Sequence, residues 1–208
     1  MPNIRTKGGN HQRCVGPHNF GVFDVDGSFQ FSIAFEIANR AHATQVRKGT
    51  HIAYISHPMS VAALILEAGG SVENACAGLL HDVLEEAGPE YAKEIRTRLG
   101  EDVLRLEEGC TDGVPDATGE KEPWAILKER HVAHLKTVPD DVLMVSACDK
   151  LHNLRSILCD LKNGEAVFER FSVPKDKTLW CCDTLVTIFE AREAPYSREM
   201  REILKALA

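Results

Sequence analysis

The feature that most constrains this chain is a histidine and an aspartate placed side by side at the end of an apolar helical stretch. The run reads Ala77-Gly78-Leu79-Leu80-His81-Asp82-Val83-Leu84-Glu85-Glu86. A stretch this apolar belongs in a core, and burying a bare charge there is costly unless other groups answer it. Whatever fold the chain adopts must therefore bring partners to His81 and Asp82 from distant segments. Two segments offer them: His57 ahead of Pro58, and Asp149 inside Val145-Ser146-Ala147-Cys148-Asp149-Lys150-Leu151. Together these four side chains supply enough N and O donors for one divalent metal.

The rest of the chain is patterned as helices. From Phe29 onward, Phe31, Ala34, Phe35, Ile37, Ala38 and Ala41 recur at the spacing of one buried helix face. A Gly-containing loop from Arg47 to Ser56 leads to His57-Pro58, where Pro suits a first turn because its missing N–H would be unpaired there. The following helix stops at Gly69-Gly70, and Ser71 caps the next, which is expected to run to about Glu86. Shorter helices are expected at 89–99 and 101–109, then a Gly/Pro/Asp-rich loop from Thr111 to Pro123. A helix with Trp124, Leu127 and His131 on one side follows. After Pro139 a long helix runs from Asp140 to about Leu161 and stops at Asn163-Gly164, and segments 165–171, 177–193 and 197–207 are expected to be helices as well. No alternating β pattern of useful length and no repeat interrupts this. The expected architecture is all-α: a loosely ordered arm over 1–27, then one domain over 28–208 of about eight to ten helices.

Composition narrows the partners. A formal net charge of −7 argues against a basic nucleic-acid-binding surface. Residues 1–27 are polar and Gly-rich, with no apolar region of a signal peptide. The apolar run Val61–Leu66 is far too short to span a bilayer. A soluble, cytoplasmic protein that binds neither nucleic acid nor membrane is expected. The seven cysteines are odd in number and form no C-x-x-C. Cys76, Cys148 and Cys159 fall inside apolar helical patterns, so reduced, buried thiols are expected rather than a zinc site or disulfides.

Locally, each candidate residue has a plain reading beside the chemical one. Glu85 lies four residues after His81, and Glu86 four after Asp82, so on a continuous helix each stacks one turn above its partner. Two carboxylates would then flank the metal, able to orient or deprotonate a water. They could equally be a solvated helix end, although carboxylates at a C-terminus oppose the helix dipole. Asp149 in an apolar helix demands either a metal or an ion pair. His81 alone could be a hydrogen-bonded core histidine and His57 a helix cap. His152, three residues past Asp149, suits an orienting role better than ligation.

The order and spacing of the whole set resemble the HD-domain hydrolases, most of all the RelA/SpoT-type guanosine tetraphosphate hydrolases and their small stand-alone members. The matching motifs are Arg47-Lys48-Gly49, Tyr54-Ile55-Ser56-His57-Pro58, Leu79-Leu80-His81-Asp82-Val83-Leu84-Glu85-Glu86, and Asp149-Lys150-Leu151-His152-Asn153. The resemblance implies that His57, His81, Asp82 and Asp149 bind one divalent metal, Mn²⁺ by family habit, with Fe²⁺ or Zn²⁺ also suited to mixed His/carboxylate ligation. It implies that Glu85 and Glu86 act on the nucleophilic water. Arg47 and Lys48 would hold the nucleotide, Asn153 would line its pocket, and Lys128 and Arg130 fall where the family places basic groups near phosphates. The partner is then a phosphorylated nucleotide, and a homodimer is allowed.

Two departures stand out. Glu86 replaces the usual Asp of the acidic pair, and Cys181-Cys182 follow Trp180 where related proteins often carry aromatics. No synthetase-like segment precedes Ala208, so a hydrolase alone is expected. The expected reaction is removal of the 3′-pyrophosphate from guanosine tetra- or pentaphosphate. The same site could instead serve an NADPH or (deoxy)nucleotide phosphatase, or a catalytically weak nucleotide-binding protein.

Overall fold

The structure, a computed structural model, describes residues 25–111 and 123–208. Ten α-helices follow one another in these residues: α1 (Val25–Ala41), α2 (Ser56–Glu67), α3 (Val72–Leu80), α4 (Val83–Glu86), α5 (Tyr91–Leu99), α6 (Glu101–Cys110), α7 (Trp124–Leu135), α8 (Asp140–Lys162), α9 (Lys175–Ala191) and α10 (Ser197–Leu207). Among the described residues there is no strand, only an isolated bridge between Val46 and Ala53. The all-α expectation holds. No described helix is long and apolar enough to cross a membrane. Helix α1 begins at Val25, so its first turn reaches into the stretch expected to be a loose arm. The remainder of that arm, 1–24, and most of the 111–123 loop lie outside the described residues.

The helices pack around two buried clusters that share one wall. Helix α8 centres the first, with α2 and α10 laid on it and α9 packed on α10; α1, α3, α5 and α6 enclose the second. The α2–α3 pair stands between them. Val61, Leu64, Ile65, Ala75 and Ala77 face one cluster, while Ala62, Cys76, Leu79 and Leu80 face the other. Helix α3 is consequently buried along its whole length. Its start is fixed by a reciprocal cap: the Asn74 amide donates to Ser71 Oγ, and the Ser71 amide donates to Asn74 Oδ1, both at 3.2 Å.

Helices α2 and α3 approach closely because Gly78 has no side chain. A Cβ there would lie 2.5 Å from Ile65 Cδ1 and 3.3 Å from Ala62 Cα. Glycine inside a helix ordinarily costs about 1 kcal/mol against alanine, and here that cost is offset by the close approach of the two helices. The approach sets the distance between His57 on α2 and His81 just past α3.

Four expectations need correction. The helix from Ser71 does not run on to Glu86 but breaks at His81-Asp82, and α4 starts afresh at Val83. Residues Val167–Arg170 form a 3-10 turn, not an α-helix. Phe35 is exposed rather than part of the buried face of α1, and Cys159 is exposed on α8. In both cases the side chain lies off the stripe that meets a neighbouring helix, so an apolar residue stays in solvent, as scattered ones commonly do.

The glycine argument gives a direct test. Gly78→Val should overpack the α2–α3 contact by roughly 1–3 kcal/mol, lowering Tm by about 2–12 °C for a domain of this size. A melting curve within about 1 °C of the wild type would show that the two helices part without cost.

Candidate metal centre

His57 enters the site from the first turn of α2, where the chain needs no intrahelical partner for its amides. Asp149 comes from the middle of α8. His81 and Asp82 occupy the break between α3 and α4, and the break is what makes both useful. On a continuous helix, neighbours diverge by about 100°. At the break, Asp82 adopts φ −108°, ψ 0°, a sparsely populated backbone region in which active-site residues recur. Both side chains then turn to the same point.

Four donor atoms converge there. His57 Nε2 lies 3.1 Å from Asp149 Oδ1, 3.6 Å from Asp82 Oδ2 and 3.2 Å from His81 Nε2. His81 Nε2 lies 3.1 Å from Asp82 Oδ2 and 3.7 Å from Asp149 Oδ1. Ligands about 2.1 Å from one ion, at octahedral or tetrahedral angles, stand about 3.0–3.4 Å apart. The donor spacings, 3.1–3.7 Å, overlap that range and run slightly wider, so the residues fit a single transition-metal ion. His57, His81 and Asp149 are buried, and their donor atoms lie within 4.8 Å of one another; Asp82, half-buried, stands beside the two histidines but outside that group of three.

The electrostatics call for a cation. Burial opposes ionisation of Asp149, yet Lys150 and then His57 and His81 hold its pKa well below the ordinary carboxylate value. Burial likewise opposes charge on Asp82, and His81 foremost lowers it all the same. Burial would strip the proton from His81, but Asp82 and Asp149 outweigh it and raise its pKa well above the usual imidazole value. At His57 burial wins over Asp149, and the pKa falls. Two ionised carboxylates thus hold positive charge at their centre, and a metal ion can supply what the His81 proton supplies here.

A second layer of bonds orients these donors. His81 Nδ1 donates to the Gly78 carbonyl at 2.9 Å, which leaves Nε2 unprotonated toward the centre when the ring is neutral. His57 Nδ1 meets His152 Nδ1 at 2.7 Å. Burial first, then His57, push the His152 pKa down to about 4, so His152 stays neutral and suits the role of acceptor. The Tyr54 hydroxyl donates to Asp82 Oδ2 at 2.6 Å. Asn153 Nδ2 donates to Asp149 Oδ1 at 2.6 Å, and Lys150 Nζ to Asp149 Oδ2 at 2.8 Å.

Arg47 joins the same network from the loop before α2. Its Nη2 donates to Asn153 Oδ1 at 2.7 Å, and its guanidinium lies over the Tyr54 ring at 5.8 Å. The loop is a tight turn, with the Thr50 amide donating to the Arg47 carbonyl and Gly49 at φ +71°. A residue with a side chain is strained at that φ, and a Cβ there would also meet Arg170 Cδ at 2.5 Å. Lys48, at the tip of the turn, is exposed.

The acidic pair divides. Glu85 lines a pocket of about 340 Å³, counting the solvent at its mouth, together with His81, Asp82, Cys110, His131, Val145, Ser146, Asp149 and Lys150. Glu86 is exposed on α4, and its carbonyl accepts from Gln45 Nε2 at 3.2 Å. From α7 the pocket is lined by His131; Lys128 is half-buried and Arg130 exposed, and neither lines it. Tyr54 and Lys150 lay inside quoted motifs without a role, and Glu107, which holds the Leu84 amide, had no sequence signal except a carboxylate on an apolar helix face.

Comparison with known proteins gives the family. Residues 34–169 match the HD domain family, more than half of the chain. A guanosine-3′,5′-bis(diphosphate) 3′-pyrophosphohydrolase of Aquifex aeolicus is 45% identical over 126 residues, which cover 60% of this chain and 17% of that protein. The enzyme of that activity called MESH1 in Xenopus tropicalis is 33% identical over 132 residues, 61% of this chain and 70% of its own length. The chain spans only 15–17% of the length of several other relatives it matches. A solved structure of a metazoan SpoT ortholog that hydrolyses ppGpp superposes with TM-score 0.67 over 85% of this chain and 94% of its own, at 22% identity, a likeness of fold. The chain belongs to the HD domain family.

Proposed function

We propose that this chain is a metal-dependent phosphohydrolase that removes the 3′-pyrophosphate from guanosine tetra- or pentaphosphate. The convergence of His57, His81, Asp82 and Asp149 carries this reading, with a basic loop bonded into the same network. A divalent ion held by these four residues would polarise the scissile phosphoryl group and make a water acidic near neutral pH. Mixed imidazole and carboxylate donors suit Mn²⁺, and Fe²⁺ or Zn²⁺ would also be accepted.

The chain's own groups do the remaining work. Glu85, on the pocket wall, is placed to orient the attacking water and accept its proton. Glu86 stands one residue further out and acts at the rim. Lys150, which also lines the pocket, offsets phosphate charge. Arg47 presents a flat cation already stacked on Tyr54 and pinned by Asn153, so little freedom is lost when a nucleotide binds. Lys48 beside it adds a point charge for phosphate. Lys128 and Arg130 stand outside the pocket and would meet only phosphates that extend beyond it.

Asp82→Ala should lose both metal content, measured by elemental analysis, and hydrolysis. A variant that keeps its metal and full turnover would sink the assignment. Substrate class is read from side-by-side turnover of guanosine tetraphosphate, NADPH and deoxynucleotides with Mn²⁺ added. Guanosine tetraphosphate should be turned over fastest, and preference for NADPH or deoxynucleotides would reassign the enzyme. Asn153→Ala removes a hydrogen bond from Asp149 and a partner from Arg47. It should weaken metal binding roughly tenfold and raise KM as well, whereas a change in KM alone would place Asn153 with the substrate only.

A further inference from the structure

The break between α3 and α4 lacks a cap from its own sequence. Asp82 stands at the position where a short carboxylate ordinarily accepts from first-turn amides, yet it makes no such bond. Its Oδ2 is taken up by Tyr54 and faces His57 and His81. The amide of Leu84, second residue of α4, instead donates to Glu107 Oε1 at 3.1 Å, across 23 residues of sequence.

Glu107 is an unusual resident of its site. It is fully buried on α6, among Val103, Leu104 and Leu106. Its second oxygen, Oε2, has no hydrogen-bond partner. A buried carboxyl with an unmet oxygen lowers stability, and an apolar residue of similar volume would fill the space without that cost. Burial pushes its pKa up to about 8, with the Leu84 amide pulling the other way. Among the described residues, its one side-chain hydrogen bond is the bond to Leu84.

We propose that Glu107 is a positioning residue for the metal centre: from α6 it takes up the Leu84 amide, which Asp82 with its α-region backbone does not accept, and so fixes the break from which the Asp82 carboxylate is directed at His57 and His81. The proposal rests on the metal-centre reading above. Without an acceptor at Leu84, α4 loses the bond that ties its start to α6, and the Asp82 carboxylate two residues earlier loses its fixed direction. The oxygen matters and the charge does not, because a neutral carboxyl or a carboxamide accepts from Leu84 equally well.

The test compares full-length wild type with Glu107→Gln, Glu107→Leu and Glu107→Asp. Mn²⁺ affinity is read by competition with a chelator, and Leu84 amide exchange by NMR. Wild type and Glu107→Gln should bind Mn²⁺ equally and protect the Leu84 amide. Glu107→Leu should bind roughly tenfold or more weakly and exchange Leu84 faster. If Glu107→Leu keeps wild-type affinity, whatever its melting temperature, Glu107 is only a core residue and the proposal falls. It falls too if Glu107→Gln is as weak as Glu107→Leu. Should Glu107→Leu fail to fold, Glu107→Asp withdraws the oxygen by one methylene and should shift affinity in the same direction; unchanged affinity there overturns the proposal. A wild-type chain that binds no Mn²⁺, Fe²⁺ or Zn²⁺ removes the centre itself, a failure distinct from wild-type binding that Glu107 does not influence.

Discussion

Asp149 sits in the middle of α8 with its carboxylate nearly closed off from water, and much of the structure follows from that placement. Removing such an ion from water costs several kcal/mol even after relaxation. The cost is met only if charges and donors are brought to both of its oxygens. Lys150 and Asn153 come from the same helix, but His57 and His81 come from α2 and the α3 break. The chain can satisfy Asp149 only by packing α2 and α3 against α8, which is the arrangement of its first core cluster. The apolar contacts supply the area, and the carboxylate fixes the register in which the area is buried.

The same logic explains why α3 stops where it does. A buried helix that continued through His81 and Asp82 would send the two side chains about 100° apart, and one of them would point into the core. Nothing local announces the break: there is no proline, and the nearest glycine, Gly78, lies inside α3 to let α2 approach. The signal comes from α6, where Glu107 takes up the Leu84 amide. This is why the sequence reads as one helix to Glu86 while the helix starts and stops marked by Ser71, Gly69-Gly70, Pro139 and Asn163-Gly164 are legible. Local punctuation is written in the residues beside it, and a cap supplied from another helix is not.

The candidate donors were legible for a related reason. An ionisable side chain in an apolar segment is a local anomaly, and His57, His81, Asp82 and Asp149 all carry it. The groups that orient them do not. Tyr54 looks like an ordinary amphipathic residue until the fold sets its hydroxyl against Asp82. His152, three residues past Asp149, can be read as orienting a donor, but not which one; the fold sets it against His57. The placement of Lys128 and Arg130 likewise depends on how α7 is rotated. His131 shares the inward stripe with Leu135, and His134 donates to the Gly109 carbonyl at the side. With α7 held this way, Arg130 faces solvent and Lys128 flanks the stripe, a rotation that composition alone does not determine.

The rotation of α7 leaves the Arg47 loop as the basic element tied to the centre. The chain of bonds runs Arg47 to Asn153 to Asp149, with Tyr54 bridging back from under the guanidinium to Asp82. Two of the four candidate donors are therefore held by residues that also hold Arg47. A ligand that draws the guanidinium away from Asn153 removes a bond from the amide that orients Asp149, and a change in charge at Asp149 is felt along the same path. Groups joined this way do not act additively. The turn bearing Arg47 and the centre bearing Asp149 are best regarded as one unit, closed at its back by the Arg170 stem packed on Gly49.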